Sequence, residues 1–143
     1  MSTSRHLSRV IALQALFASE FGKQNPTEAF DYVCKEFKDK TDDFSFAKMI
    51  FDGVIAGQEG IHEKIRHYAP EWPIEKIAKI DRVILEIAIF EMTAKGDVPA
   101  VVALDEAVEL SKSYGNQNTP KFINGVLNAL LNDTGSQRKT ITA

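Results

Sequence analysis

The first turns of the N-terminal helix carry three side chains suited to binding a phosphate backbone. Arg5, His6 and Arg9 lie in SRHLSRVIALQALF, and residues four apart share one face of an α-helix. Cations at a helix start oppose the helix dipole, at a cost of roughly 0.3–1 kcal/mol each when exposed. A local rule broken without a visible structural gain favours a binding role. Solvation, or pairing with acidic side chains elsewhere in the chain, is the competing interpretation.

A second candidate binding surface is the polar loop in SYGNQNTPKF, residues 113–122. Asn118 can hydrogen-bond to base edges, Lys121 can neutralise a phosphate, and Phe122 offers a ring on which an unpaired base can stack. The alternative is that Asn and Gly residues close a helical hairpin and that Phe122 belongs to the core.

Catalytic motifs are missing from the sequence. His62 and His67 resemble a zinc-protease helix, but five residues apart they point ~140° away from each other, so solvated histidines are the simpler interpretation. Cys34 lies on an apolar helix face, where a core role is simpler than a nucleophilic one. The sequence has no phosphate-binding glycine loop and no glycine-bracketed serine. We therefore expect no enzyme activity, no cofactor and no metal.

The elements that position these residues are predicted to be helical throughout. Apolar residues recur at three- and four-residue spacing, and no useful strand alternation occurs, which predicts an all-α bundle of about seven helices. Predicted helices include residues 4–21, a helix capped by Asn25 and Glu28, a long helix to Tyr68, residues 80–95, a helix from Pro99, and one from Thr119. A kink at residues 57–60 is the alternative to an unbroken long helix.

Three details of this arrangement are further expectations. Gly115 is expected to end its helix in the left-handed conformation, and Gly125 is expected to permit close packing of another helix. Trp72, between two prolines, is expected to plug the edge of the domain.

Length and composition predict one domain. A chain of 143 residues suits a single core, which we assign to residues 1–134, followed by a flexible tail over residues 135–143. No apolar run approaches the ~20 residues that span a bilayer, and a lone cysteine suits a reducing compartment. These features predict a cytoplasmic protein.

Charge is distributed unevenly along the chain. The net charge is −3, but residues 1–24 carry three basic side chains against one acidic, and residues 136–143 carry two basic and no acidic ones. The segment between them has a balance of −7. This pattern argues against indiscriminate binding of nucleic acid but not against a local site.

Three stretches of the chain resemble the NusB family of transcription antitermination factors. They are SRHLSRVIALQALF near the N-terminus, KIDRVILEIAIFEM in the middle, and LDEAVELSKSYG followed by TPKFINGVLN near the C-terminus. These stretches follow the family's order at family-like spacing and cover about half of the chain.

The resemblance implies a function and a set of contacts. NusB-type factors bind boxA single-stranded RNA in nascent ribosomal transcripts jointly with NusE, a small-subunit ribosomal protein, and join other Nus factors on RNA polymerase. It implies RNA contacts at Arg5, His6 and Arg9, although many members carry another Arg at the position of His6. Lys121 and Phe122 fall on the family's KF-x-N motif and are further expected RNA contacts.

Two residues are predicted to contact the protein partner. Phe17 and Asp81 are predicted NusE contacts, although Phe17 has a core-compatible spacing and Asp81 can act as a helix cap. A NusB-like domain also precedes the catalytic domain of some rRNA cytosine methyltransferases, but these 143 residues leave no room for a methyl-donor domain. A protein-interaction scaffold without RNA affinity is the third hypothesis, supported by the acidic net charge.

Overall fold

Hydrogen bonds from capping side chains mark where the first two helices of the chain begin. The computed structural model describes residues 4–94, 96 and 98–142, and of residues 134–142 it describes the backbone alone. The Ser4 hydroxyl accepts a hydrogen bond from the Leu7 N–H at 3.1 Å and caps the first helix. The Asn25 side chain accepts from the Glu28 N–H at 2.9 Å and donates to the Glu28 carboxylate at 2.8 Å. The predicted reciprocal cap is therefore confirmed.

The described residues form seven α-helices, one short 3-10 helix and no strand. The predicted all-α class is confirmed. The helices are α1 (Arg5–Phe21), α2 (Pro26–Glu36), α3 (Ser45–Ala56), α4 (Gln58–Tyr68), the 3-10 helix Ile74–Lys76, α5 (Lys79–Thr93), α6 (Ala100–Tyr114) and α7 (Thr119–Thr142).

Two units can be distinguished in the chain, Met1–Gln58 and Glu59–Ala143. In the first unit, α1 packs against both α2 and α3. The rings of Phe30 and Phe51 join α2 to α3 at 5.1 Å between centroids. The buried apolar side chains of this unit follow the predicted helical spacing, as Ile11, Leu13, Leu16, Phe30, Val33, Ile50, Phe51 and Val54 show.

In the second unit, α5 packs against both α6 and α7, and α6 packs against α7. Every residue of α5 from Val83 to Ile89 is buried. A helix that is apolar around most of its circumference must be covered on several sides, as α5 is by α6 and α7. Leu104, Leu110, Ile123 and Leu127 supply buried side chains from α6 and α7.

The predicted long helix ending at Tyr68 is divided. α3 ends at Ala56 with Gly57 as its C-terminal cap, and α4 begins at Gln58. The alternative prediction of a break near Gly57 is the correct one, because glycine lowers the stability of a continuous helix by ~1 kcal/mol relative to alanine.

Two apolar side chains at the start of α6 are exposed. Val101 and Val102 are 52% and 41% exposed, whereas Ala103, Leu104 and Ala107 are buried. Pro99 is the N-terminal cap of α6 rather than its first residue.

Two observations concern the predicted domain limits. The backbone of α7 continues to Thr142, past the predicted end of the domain at residue 134, and residue 143 lies outside the described residues. Flexibility of residues 135–143 stays a prediction.

No helix in the described part of the chain is long and apolar enough to span a membrane.

Candidate RNA-binding site

The basic patch, defined as Arg5, His6 and Arg9, begins where α1 begins. Arg5 and His6 are exposed, but Arg9 is only 2% exposed. Two members of the patch are therefore accessible to a ligand arriving from solvent. Arg9 is a buried cation in the first unit, and its role in RNA contact stays a prediction.

An aromatic ring from α3 holds the two arginines of the basic patch. The guanidinium carbons of Arg5 and Arg9 lie 4.5 Å and 5.4 Å from the centroid of the Phe46 ring. A cation over an aromatic face is attracted by ~0.5–2 kcal/mol, which offsets the cost of placing cations at a helix start. Phe46 thus supplies the structural gain that was not visible in the sequence.

Hydrogen bonds within the loop between α6 and α7 determine its shape. The Thr119 hydroxyl oxygen accepts from the Asn116 N–H at 3.0 Å, and the Asn116 side-chain oxygen accepts from the Asn118 N–H at 2.8 Å. Gly115 has an extended backbone, with φ −95° and ψ −174°, so the predicted left-handed conformation is wrong. A Cβ at Gly115 would lie 2.5 Å from the Thr119 Cβ, and glycine is required there by that close approach.

Asp81 connects this loop to α5. The Thr119 hydroxyl donates to Asp81 Oδ1 at 3.1 Å, and Asp81 is 8% exposed. Burial raises the pKa of the Asp81 carboxyl, and the hydrogen bond from Thr119 opposes that shift. The structure thus gives Asp81 a structural role between two helices, while its contact with a protein partner stays a prediction.

The residues of the loop and of the first turn of α7 that are predicted to contact RNA border two cavities, which share Phe122. Asn118 and Phe122 line the first cavity, of about 280 Å³, together with Asp81. Lys121 and Phe122 line the second, of about 310 Å³. Asn118 and Lys121 are exposed and Phe122 is half-buried. The fold brings a charge, an amide and an aromatic ring together, as base stacking with phosphate neutralisation requires.

Trp72 is a member of this site that sequence reasoning missed. It lines both cavities with Phe122 and is 52% exposed, so the expectation that it plugs the domain edge is wrong. A tryptophan between two prolines was the available signal, but the distance in sequence between Trp72 and Phe122 concealed their proximity.

The structure changes the role expected of Gly125, while the NusE contact of Phe17 stays a prediction. A Cβ at Gly125 would meet nothing within 4 Å, so this glycine does not permit a close helix contact. The Asn124 side-chain oxygen accepts a hydrogen bond from the Asn128 side-chain amide at 3.0 Å along α7. Phe17, a predicted NusE contact, is half-buried and its ring lies 5.2 Å from that of Phe21.

The two histidines and the cysteine that were considered for catalysis have surroundings typical of residues with a structural role. His62 is not a solvated histidine, because its Nε2 pairs with the fully buried Glu86 carboxylate at 2.5 Å. His67 is exposed and packs edge-on against Tyr68, with ring centroids 4.6 Å apart. Partial burial raises the pKa of the Cys34 thiol, which disfavours the reactive thiolate.

Comparison with known proteins decides the family. The family model described as the NusB family matches residues 6–132, which include nearly all of α1 and all of the loop before α7. The chain belongs to the NusB family.

Curated NusB relatives match the chain almost from end to end. The transcription antitermination protein NusB of Dehalococcoides mccartyi is 37% identical over 142 residues, covering 97% of this chain and 99% of the relative. The protein of the same name from Heliobacterium modesticaldum is 38% identical over 135 residues, and the match covers 94% of this chain but 66% of that longer relative.

Solved NusB structures share the fold. NusB from T. maritima is 30% identical, with a TM-score of 0.81, over 90% of this chain and 91% of that one. A structure of antitermination factors NusB and NusE in complex with dsRNA contains a chain that is 25% identical, with a TM-score of 0.78, over 87% of this chain and 93% of that one. The NusB fold therefore extends over both units.

Proposed function

We propose that this NusB-family chain is a transcription antitermination factor that binds boxA-type single-stranded RNA of nascent ribosomal transcripts together with NusE. The observation that carries the proposal is the family match over residues 6–132, which includes the exposed His6 and Lys121. The assembly then joins other Nus factors on RNA polymerase in the cytoplasm. The proposal includes no catalytic step.

The charge distribution makes the partner part of the mechanism. The acidic segment between residues 24 and 136 repels phosphates at long range, whereas Arg5 and Lys121 attract them locally. A cationic ribosomal protein would cancel the repulsion and add contacts of its own. We therefore expect weak RNA binding by the chain alone and much tighter binding by the heterodimer.

The test measures RNA affinity with and without NusE across a range of salt concentrations. Fluorescence anisotropy gives the affinity for a boxA oligonucleotide, and calorimetry gives the affinity for NusE with and without that RNA. Linkage requires both affinities to rise by the same factor. Equal RNA affinity with and without NusE would contradict the cooperative assembly.

The form of the RNA requires a second arm of this experiment. The NusB–NusE structural relative was solved with dsRNA, so the same boxA sequence is also titrated as a duplex. Tighter binding of the duplex would contradict the single-stranded assignment while leaving RNA binding in place.

A second candidate function is a protein-interaction scaffold without RNA affinity. The acidic net charge of −3 favours it, because such a surface disfavours nucleic acid. NusE binding without detectable RNA binding in either state would favour this alternative.

A further inference from the structure

Trp72 exposes a large aromatic surface in the segment between α4 and α5. It is 52% exposed, although tryptophan contributes more stabilisation when buried than nearly any other side chain. An exposed tryptophan beside a cavity is a common feature of binding sites, since its ring contributes contact area at a small entropic cost.

The backbone around Trp72 is anchored on both sides. The Trp72 N–H donates to the Ala69 carbonyl at 3.2 Å, and the Lys76 N–H donates to the Pro73 carbonyl at 2.8 Å. Ala69 and Ile74 are 5% and 6% exposed. The indole is thus presented to solvent from a fixed segment, which is the preorganisation that a binding residue requires.

The first cavity combines stacking surfaces with polar groups. Trp72 and Phe122 supply aromatic rings, Asn118 supplies an amide, Asp81 supplies a carboxylate, and Lys76 supplies a cation. An aromatic ring, a hydrogen-bonding amide and a nearby lysine match the parts of a nucleotide: base face, base edge and phosphate.

We propose that this cavity holds one unpaired base of the RNA, with Trp72 as its stacking residue and Lys76 as the contact for an adjacent phosphate. The inference rests on the proposed RNA-binding function and adds a base subsite to it. The walls come from the segment after α4, the start of α5, the loop before α7 and the first turn of α7, all within the second unit.

The carboxylate of Asp81 selects the class of base. Thr119 donates to Oδ1, and Asp81 lines the cavity, so the second carboxylate oxygen is the acceptor that this proposal assigns to the base. A carboxylate accepts a hydrogen bond from an exocyclic amino group, as on cytosine or adenine, whereas uracil presents a carbonyl oxygen at the corresponding position. The subsite therefore prefers an amino-bearing base to uracil.

An apolar side chain of a protein partner is the competing occupant. The polar lining from Lys76, Asp81 and Asn118 disfavours it, because an apolar occupant would leave these groups dehydrated without partners. A protein occupant is nevertheless a distinct outcome of the test.

The composition of the chain offers a direct measurement. Trp72 is its single tryptophan, so intrinsic tryptophan fluorescence reports on this position alone. Titrating the full chain with a boxA oligonucleotide should quench the Trp72 emission, and the quenching should saturate with the same Kd as anisotropy. The same titration in complex with NusE uses Trp72→Phe as the background.

Substitution then measures the contribution of the ring. Trp72→Ala should weaken RNA binding about 5- to 140-fold, the equivalent of ~1–3 kcal/mol for one stacked base, and Trp72→Phe should restore most of it. Tyr32→Ala is the matched control, because Tyr32 is a 54% exposed aromatic residue of the other unit. Circular dichroism and thermal melting verify that each variant folds.

An abasic scan of the oligonucleotide identifies the occupant. At one position, removing the base should weaken RNA binding by the unmodified protein but should not change RNA binding by Trp72→Ala. The reason is that both changes remove the same contact. Uracil at that position should also weaken binding by the unmodified protein.

The outcomes separate this inference from the proposed function. RNA binding without quenching, and with unchanged affinity of Trp72→Ala, would overturn the base subsite and leave RNA binding intact. Failure of the unmodified chain to bind RNA with or without NusE would overturn the proposed function itself. A third outcome is that tryptophan-free NusE alone quenches the Trp72 emission and that Trp72→Ala loses affinity for NusE but not for RNA. This outcome would show that the cavity holds a protein side chain and not a base.

Discussion

The hydroxyl of Thr119 donates a hydrogen bond to Asp81 Oδ1 at 3.1 Å and thereby ties the start of α7 to the first turns of α5. The same hydroxyl oxygen accepts from the Asn116 N–H at 3.0 Å. One buried side chain thus supports the loop that carries Asn118 and the cavity beside it. The shape of the candidate RNA site therefore depends on a contact between residues that RNA need not touch.

Removing the Thr119 hydroxyl should destabilise the protein. Thr119→Val removes the donor to Asp81 and the acceptor for Asn116, and we expect a loss of about 1–3 kcal/mol in the free energy of unfolding. Thr119→Ser, which keeps the hydroxyl, should lose less. Urea denaturation measures both, and equal stabilities of Thr119→Val and the unmodified protein would contradict the role of this bond.

The Asp81 carboxyl should make stability depend on pH. Its pKa is raised in the folded protein above the ordinary value of 3.8, so the folded state holds this proton more tightly than the unfolded state. Stability contributed by this group is therefore present below 3.8 and is lost as the pH rises through the raised pKa. Relative to Asp81→Asn, the unmodified protein should lose stability across that window, as urea melts at several pH values would detect. Asp105→Asn, which removes an exposed carboxyl group from α6, is the matched control variant.

Two glycines near the loop should respond to alanine in opposite directions. Gly115→Ala should destabilise the protein by about 1–3 kcal/mol, because the new Cβ would lie 2.5 Å from the Thr119 side chain. Gly125→Ala should stabilise it by about 0.5–1 kcal/mol, because that position is helical and its Cβ meets nothing within 4 Å. Thermal melting of the two variants tests the pair, and a gain at Gly115 or a loss at Gly125 would contradict the described packing.

The two arginines of the basic patch should affect different properties, Arg5 the RNA affinity and Arg9 the stability of the protein. Arg5 is exposed, so Arg5→Ala should weaken RNA binding and reduce the salt slope by about 0.7 if one phosphate contact is lost. Lys35→Ala removes the same charge from an exposed position on α2 and should have less effect. Unchanged affinity and slope in Arg5→Ala would contradict an RNA role for this residue.

Arg9→Ala should mainly destabilise the first unit. Arg9 is 2% exposed and lies over the Phe46 ring, so its loss removes buried packing and a cation–π contact. We expect a loss of about 1–3 kcal/mol in the free energy of unfolding. Urea denaturation of Arg9→Ala beside Arg5→Ala distinguishes the two, and similar stabilities would contradict the structural role of Arg9.

The histidines of α4 should differ in their contribution to stability. His62→Ala removes a hydrogen-bond partner from the fully buried Glu86 carboxylate and should cost about 1–3 kcal/mol. His67→Ala, at an exposed position on the same helix, should change stability by less than ~0.5 kcal/mol. Thermal melting measures both, and equal effects would show that the His62–Glu86 pair contributes little.

Helices and their caps could be predicted because their determinants lie within one or two turns of the chain. The reciprocal Asn25–Glu28 cap spans three residues, and Ser4 caps α1 through the Leu7 N–H. The buried face of α1 repeats at helical spacing in the sequence itself. The same local patterns carried the resemblance to the NusB family, and with it the candidate residues of the basic patch and the loop.

The surroundings of those residues depended on contacts between helices. Asp81 and Thr119 are 38 residues apart, and His62 and Glu86 are 24 apart, so no local spacing relates them. The same holds for Phe46 beneath Arg5 and Arg9, and for Trp72 beside Phe122. The apolar periodicity of the sequence indicates which side of a helix is buried. It does not indicate the partner of a buried polar or aromatic group, because that partner is selected only when the helices pack. Each such group must then regain, inside the protein, the contacts that it loses with water.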